Sequence, residues 1–472
     1  MSSRGAHRQK VAIIGSGMAG LVTAYLLRTD PSSRFEVEIF ETDELSLDSA
    51  SLTIPSDHCK DSVPDRVDLP MRAFADGYYK NLKRMYDYFG IQYASPRFIY
   101  TLSSLPRIAS DKIRPYFIHS SNNHQLPPAK PENNSWGSWL VELVYLMFCY
   151  YWFTACCFWI RPKITVESSV DESFRQYLER IGLPQYYIKY YLLPLISSVT
   201  TCSHDALLEF PAIDLVEYEK RTFRQPHYTI EGGVHKIQTK LSKGLKVRFR
   251  STVTAVQNAG GKVKVTMRNE HTGFLDSALF DHVIMAVTPD VVGSIFPPLE
   301  SVMAAVPTTR VLSVVHHDYT RFSTCRQYVR GRIPFDHRGR ASQPIHMCSN
   351  AYATESTHEH PCSVLITTSP IISVRPTHIL HSVTFTRVLR TPTSRQLLNR
   401  VFGANELECR DDNLKGCWRN GDGNVWLVGG WCWDGMVMLE GCVASAIRVA
   451  DSLGVEVPWL LGYSYDQCCN AR

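Results

Sequence analysis

The chain carries no long run of lysine or arginine, no paired Cys-x-x-Cys knuckles, no internal repeat and no low-complexity tract. The first absence argues against nucleic acid as a partner, since the net charge of +5 is spread over 472 residues rather than gathered into a basic stripe. The second argues against zinc. The 14 cysteines are scattered, with adjacent pairs at Cys156-Cys157 and Cys468-Cys469, and read as reduced core thiols of an intracellular protein. No grouping of His, Asp, Glu and Cys has ligand spacing, so no metal is expected. Met1 to Lys10 is polar and basic and leads straight into an apolar strand, so no secretory signal is expected and a cytoplasmic location is the default. Cys469 is fourth from the last residue, but Asn470 is not aliphatic and Arg472 is a poor final residue for a prenylation box.

Charge is also missing from Leu143 to Ile160, where eight positions are Tyr, Phe or Trp: Tyr145, Phe148, Tyr150, Tyr151, Trp152, Phe153, Phe158 and Trp159. Such a stretch reaches the lower limit of a membrane span, roughly 17–20 residues. Three readings compete: a buried helix lining a hydrophobic substrate region, a helix lying on a membrane surface, and a true crossing. Glu142 at one edge, Arg161-Pro162 at the other and the aromatic rather than Leu/Val centre favour the first two.

What is present at the start of the chain is more specific. Val11-Ala12-Ile13-Ile14 is a short apolar run of the buried parallel-strand kind, followed at once by Gly15-Ser16-Gly17-Met18-Ala19-Gly20. Gly15 permits a tight turn, Gly17 lets backbone approach a pyrophosphate, and Gly20 allows the helix to pack against the strand. The helix-start amides, including those of Met18 and Ala19, face the phosphates. A helix over Leu21–Arg28, a break at Asp30-Pro31-Ser32-Ser33 and a strand Glu36–Phe40 follow, ending in Glu41. An acid there accepts hydrogen bonds from both ribose hydroxyls and repels a 2′-phosphate, so NADP is disfavoured; the unit alone does not separate FAD from NAD.

Farther along, Ser168–Gly182 and Tyr186–Val199 read as amphipathic and apolar helices of a separate substrate unit. Tyr228–Val234 reads as a strand entering a glycine turn before helix His235–Leu241. Leu245–Val256 reads as strand, turn, strand, and Phe280–Val287 as a buried strand. Arg310–Asp318 alternates as a strand, and residues 320–412 are polar and turn-rich. Near the end, strand Asn424–Val428, the pair Gly429-Gly430 and a small-residue helix beginning Glu440-Gly441-Cys442-Val443-Ala444-Ser445 form a second close backbone approach to a ligand.

These motifs together resemble the flavin-dependent amine oxidase and phytoene desaturase superfamily, over most of the chain except about 320–412. The resemblance implies a mixed α/β (α+β) fold: a Rossmann-type FAD-binding domain assembled from 1–75, 228–300 and 415–456, an inserted helix-rich substrate domain over 76–227 and 301–414, and a tail at 457–472. It implies FAD as cofactor, held by Gly15, Gly17, Met18, Ala19, Gly20, Glu41, Met71, Arg72, Val253, Gly430, Glu440 and Val443. Asp68 to Phe74 with Tyr79 and Asn81 is similar to the segment under the flavin ring, and Arg72 would stabilise negative charge on the reduced ring. Trp431 and Trp433 would shape the substrate pocket or pack in the core. Within the superfamily, Ser173–Leu178 and Val315-His316-His317-Asp318 resemble poorly characterised bacterial and fungal members.

Two departures stand out. The glycine pair that usually follows the ribose-binding acid is replaced by Leu47-Asp48-Ser49-Ala50-Ser51-Leu52-Thr53, and no lysine lies between Lys264 and Lys415 to serve as the flavin-side lysine of many amine oxidases. His316 and His317, ending a strand beside Asp318, are candidates for a base tuned by a carboxylate, or a strand-edge pair with structural hydrogen bonds. The resulting expectation is an FAD-dependent oxidoreductase that oxidises or desaturates a hydrophobic small molecule. The alternatives are an amine oxidase, a flavoprotein isomerase without net oxidation, and an NAD-binding dehydrogenase. The oligomeric state stays open.

Overall fold

In a computed structural model, the described residues are 8–54, 65–106, 113–120, 128–131, 134–164, 171–332, 342–403 and 418–461. Cys469 and the tail beyond Leu461 lie outside them. Five strands pair in parallel in the order Lys246–Arg248, Phe35–Phe40, Gln9–Ile14, His282–Met285, Val425–Leu427. The first strand of the chain is central, so Val11, Ala12 and Ile13 have no exposed surface. Its alternate side chains serve two cores. Val11 and Ile13 face helices Met18–Arg28, His235–Ser242 and Leu439–Ser452, while Ala12 and Ile14 face an antiparallel sheet of Ser251–Ala259, Lys262–Asn269 and Leu275–Phe280. Coverage on both faces is what an apolar parallel strand requires.

The structure redraws several elements. The first helix begins at Met18, three residues before the expected Leu21. The strand expected over Phe280–Val287 is two: Leu275–Phe280 ends the antiparallel sheet and His282–Met285 joins the parallel one, with the Asp281 N–H donating to the Lys10 carbonyl at the switch. The helical run expected over Tyr186–Val199 contains a π turn, Ile188–Leu192, just before Pro194. Proline has no N–H with which to continue the regular ladder.

A second, seven-stranded sheet runs in the order Ile379–Val388, Thr308–His316, Val364–Thr368, Thr354–His360, Ser342–Ser349, Arg97–Ser104, Pro115–Ser120. Four of these strands lie in the 320–412 stretch that reads as irregular. Their polarity misleads because the polar side chains point inward and pair with one another. Thr357 and Thr367 hydroxyls lie 2.7 Å apart, and Ser313 and Thr368 are 3.3 Å apart, all buried. The substrate unit therefore adds a large sheet to its helices.

Helix Trp136–Trp159 spans 24 residues, about 36 Å. One stripe, with Leu146, Cys149, Phe153 and Cys157, is buried against the body of the fold. The Trp152 indole donates to the Ile181 carbonyl (2.9 Å) and Thr154 to Glu219 (3.1 Å). The opposite stripe is exposed, including Phe148 at 67% and Trp159 at 83%, so the helix is buried along one side only. It is the one helix among the described residues long and apolar enough to cross a membrane.

A buried ionic lattice joins the late turn to both units. Arg390, fully buried, donates to the carbonyls of Gly435 (2.6 Å), Trp431 (2.9 Å) and Trp433 (2.7 Å), with Asp214 at 3.7 Å. Arg395 pairs with Asp171 (2.8 Å) and Asp434 (2.7 Å).

Glu440 has a structural part as well. Its carboxylate accepts from the backbone N–H groups of Asn81 and Leu82 (both 3.0 Å) and from the Asn81 side-chain amide (2.9 Å), and so caps helix Lys80–Tyr88 from a distant segment. Burial raises its carboxyl from the ordinary 4.5 to about 7, these hydrogen bonds opposing the rise. The folded state thus holds this proton more tightly than the unfolded chain. The corresponding stability, about 3 kcal/mol, is fully present below about pH 4.5 and is lost as pH rises through about 7. Urea unfolding across that window is expected to show falling stability in the wild type and a flatter profile in Glu440→Gln; equal slopes would refute the assignment.

Candidate cofactor and active site

The carboxyl edge of the parallel sheet gathers the two glycine turns. Gly15 has φ +98°, and a Cβ there would stand 2.9 Å from the Ala286 carbonyl oxygen; one at Gly20 would stand 2.2 Å from the Gly15 carbonyl oxygen. These two glycines are consumed by packing. Gly17 differs: no atom lies within 4 Å of where its Cβ would be, and its φ of −62° suits any residue. The room left over Gly17, at the start of an 11-residue helix, suits a phosphate.

Glu41 sits beside this turn. Its carboxylate accepts from the Ser16 N–H (2.8 Å), the Ser16 hydroxyl (2.5 Å) and the Thr42 N–H (2.8 Å), which fixes an acid at the end of the second strand where an adenosine ribose would lie. The segment that replaces the expected glycine pair packs here too. The Ser46 N–H donates to the Ser16 hydroxyl (2.9 Å), Leu47 is buried, and Ser51–Ile54 pairs with Asp65–Asp68. Arg66 donates to the Ser51 hydroxyl (2.7 Å) and brings a cation to this edge. Val253 is buried in the same core cluster as Phe40, and the Ser251 N–H donates to the Glu41 carbonyl (3.0 Å), so this strand leaves from the ribose side.

The second turn is equally tight. A Cβ at Gly430 would meet the Met438 carbonyl oxygen at 2.9 Å, and one at Gly441 would meet the Trp433 ring at 2.4 Å. Trp433 donates to the Met436 carbonyl (3.0 Å) and packs edge-on to Tyr78 at 5.9 Å between ring centres. Trp431 is a core residue: it is buried, donates to the Val287 carbonyl (3.1 Å) and contacts Phe402. Of the two pocket candidates, only Trp433 keeps partial exposure. The Val443 side chain is fully buried in the core. Glu440 gives Oε1 to two N–H donors of helix Lys80–Tyr88 and Oε2 to one, which leaves an acceptor position on Oε2. Cys442, next in line, is enclosed yet partly accessible. Burial pushes its thiol up to about 11, with Arg72 and Arg387 opposing.

Met71 and Arg72 border a cavity of about 750 Å³ that also takes in Arg66, Asp68, Tyr93, Tyr228, Gly232-Gly233, His358, His360 and Ile366. Burial raises the Asp68 carboxyl, with Arg72 opposing, and the Val234 N–H donates to it at 3.1 Å. Burial holds His358 neutral, down at about 3, and its Nε2 lies 3.0 Å from the Gln343 amide oxygen.

The histidines expected to act as a base do not line this cavity. His316 is fully buried inside the seven-stranded sheet. Its Nδ1 accepts from the Asp318 N–H (3.1 Å), so its Nε2 carries the proton toward the Thr367 hydroxyl (2.7 Å). Burial, with Arg321 adding to it, lowers it to about 4. The Asp318 carboxylate turns away to Arg375 (2.6 Å) and is held well below the ordinary carboxylate range by that hydrogen bond. His317 is exposed, its N–H bonded to the His378 carbonyl. The expected carboxylate-tuned pair is therefore structural. His358, His360 and Arg387 come from the stretch that reads as irregular; within it only Ile379–Val388, where Val383 and Phe385 alternate with threonines, carries a strand signal. Among the described residues no group of three or more His, Cys, Asp or Glu is arranged for a metal.

Fold and site together define a dinucleotide-binding flavoprotein of two units. Residues 13–89 match the NAD(P)-binding Rossmann-like domain family and residues 147–377 match the flavin containing amine oxidoreductase family. The fold is similar to that of a protein assigned as a protoporphyrinogen oxidase from Exiguobacterium sp. 255-15, with 12% identity, 96% of this chain and 99% of that one covered, and TM-score 0.56. It is also similar to that of a CLA-producing fatty acid isomerase from P. acnes, with 12% identity, 94% and 98% covered, and TM-score 0.58. No curated protein sequence matches the chain. The chain belongs to the flavin amine oxidase-like superfamily, with FAD as the cofactor expected of it and oxidoreductase-type activity as its broad class.

Gly17 and Gly20 of the first turn separate function from folding. Gly17→Ala is expected to keep the wild-type melting temperature of the FAD-free protein while FAD content falls. Gly20→Ala is expected to destabilise the protein by about 1–3 kcal/mol through overpacking. Full FAD retention in Gly17→Ala would remove the phosphate from this turn.

Proposed function

We propose that this protein is an FAD-dependent oxidoreductase that oxidises or desaturates a hydrophobic small molecule. The cofactor would lie across the parallel sheet, along Gly15–Gly20, Glu41, Val253 and Gly430–Val443. The substrate would enter from the seven-stranded and helical unit. The observation that carries this reading is the 750 Å³ cavity, lined by Met71, Tyr93, Tyr228 and Ile366 together with the charged Arg66, Asp68, Arg72 and Glu231. FAD, when bound, supplies the acceptor for a hydride equivalent. The protein's own residues orient and enclose: Tyr93 and Tyr228 wall the cavity, His358 stays neutral, and Arg72 places a cation beside Cys442 at the helix start.

Likeness to a fatty acid isomerase favours a second reading, isomerisation without net oxidation. An amine oxidase would need another group in place of the flavin-side lysine, since none lies between Lys264 and Lys415. The purified protein is expected to be yellow with flavin absorption bands; a colourless protein that takes up no FAD would sink both readings. Anaerobic mixing with apolar candidate substrates is expected to bleach the flavin, whereas product formation without lasting bleaching would support isomerisation instead.

We also infer that the protein works on the cytoplasmic surface of a membrane, held by helix Trp136–Trp159. Its exposed stripe carries Val141, Val144, Phe148, Tyr151 and Trp159, the last three lining an apolar hollow of about 450 Å³. Cations flank both ends: Lys130 lies over the Trp136 ring at 5.4 Å, and exposed Arg161 and Lys163 follow Trp159. That pattern suits an anionic lipid interface. Co-sedimentation with phosphatidylserine-containing vesicles is expected for the wild type and lost in Phe148→Glu/Trp159→Glu at unchanged melting temperature. A wild type that stays in the supernatant refutes the surface reading.

A further inference from the structure

Arg387 differs from the arginines of the buried ionic lattice in having no ion pair to a described carboxylate. Arg390, Arg395 and Arg321 are each bonded to carboxylates or to several carbonyls. Arg387 makes one weak contact, from its Nη2 to the Met438 sulfur at 3.7 Å, and its Nε has no hydrogen-bond partner. No carboxylate pairs with it among the described residues. The titratable groups that act on it are Tyr79, Cys202 and Cys442, none of them a carboxylate. Protein surrounds it closely, yet part of its surface stays accessible. Desolvating a guanidinium without a partner is costly, and the fold tolerates it at the meeting of three segments. These are strand Ile379–Val388, the Cys202 turn of the helical unit, and Met438–Cys442 at the start of the late helix.

The strand also says what accompanies the charge. Side chains alternate, so Phe385 and Val383 share the face of Arg387, and all three are half-buried. Val383 packs on the apolar cluster of Leu69 and Ile366, beside Met71 and the cavity. An apolar track thus ends in an unpaired guanidinium next to the cofactor helix.

We propose that Arg387 is the carboxylate subsite of the active site and that the substrate is an apolar acid, lying along Phe385 and Val383 with its carboxylate on the guanidinium. The proposal rests on the flavoenzyme reading above and narrows its substrate class. A planar fork of donors matches a carboxylate in two-point contact, and such a contact inside an enclosed site discriminates strongly against a neutral analogue.

The test uses the full-length, FAD-loaded protein and follows perturbation of the flavin absorption bands. Laurate is titrated against lauryl alcohol, and phenylbutyrate against phenylbutanol. The wild type is expected to bind at least one acid about 10- to 100-fold more tightly than its alcohol. Arg387→Met is expected to erase that preference while FAD content and alcohol affinity stay unchanged, and Arg387→Lys to restore part of it. Equal affinity for acid and alcohol in both wild-type pairs overturns the proposal, as does a preference that survives in Arg387→Met. Weaker sulfite-adduct formation in Arg387→Met with the preference intact would assign the guanidinium to the reduced flavin and also overturns it. A chain that binds no FAD removes the flavoenzyme reading and this one together, whereas an FAD-loaded chain without acid preference removes this one alone.

Discussion

The structure depends on two contacts that leave no room for a side chain: Gly20 against the Gly15 carbonyl, and Gly441 against Trp433 and the Gly430 carbonyl. Each lets a helix start directly at the carboxyl edge of the parallel sheet, one after the first strand and one after the last. Because these two helices, Met18–Arg28 and Leu439–Ser452, also pack on each other, their first turns converge on one region. Helix-start amides and an open Gly17 then confront the same space. A methyl group at either contact would push one helix off the sheet edge and open the cradle from which the site is built.

Charge holds the rest in register. Arg390 takes three carbonyls of the 431–435 turn, Arg395 ties that turn to Asp171, and Glu440 caps a helix whose own sequence supplies no side-chain cap. Each joins segments far apart in the chain, so the late turn, the helical unit and helix Lys80–Tyr88 are positioned together. Against this background of satisfied buried groups, Arg387 is conspicuous for what it lacks. Arg390, Arg395 and Arg321 each hold a carboxylate, whereas Arg387, beside the start of the late helix, holds none among the described residues.

Residues that looked chemical in the sequence divide by where their hydrogen bonds go. His316 spends both ring nitrogens inside a sheet, and Asp318 spends its carboxylate on Arg375. Trp431 spends its indole on Val287 and Glu440 both its oxygens on a helix start. Groups with something left to offer, Arg72, His358 and Arg387, came from a short strand-turn segment and from the polar stretch that reads as irregular. Inward polar pairs such as Thr357 with Thr367 hid that stretch, because alternation of polar residues on both faces carries no hydrophobic period to detect.

By itself the sequence determined the glycine turns, the parallel strands around them, the ribose-side acid and hence the cofactor class. Those features are local: strand, turn and helix lie within a few residues of one another, and steric rules act on neighbours. Tertiary structure alone decided that the long aromatic helix is buried along one stripe only, that the histidine pair is structural, and that residues 342–388 form much of the second sheet. It also decided that Arg387 has no carboxylate partner among the described residues. Burial and pairing are properties of what arrives from elsewhere in the chain, and no pattern within a single segment encodes them.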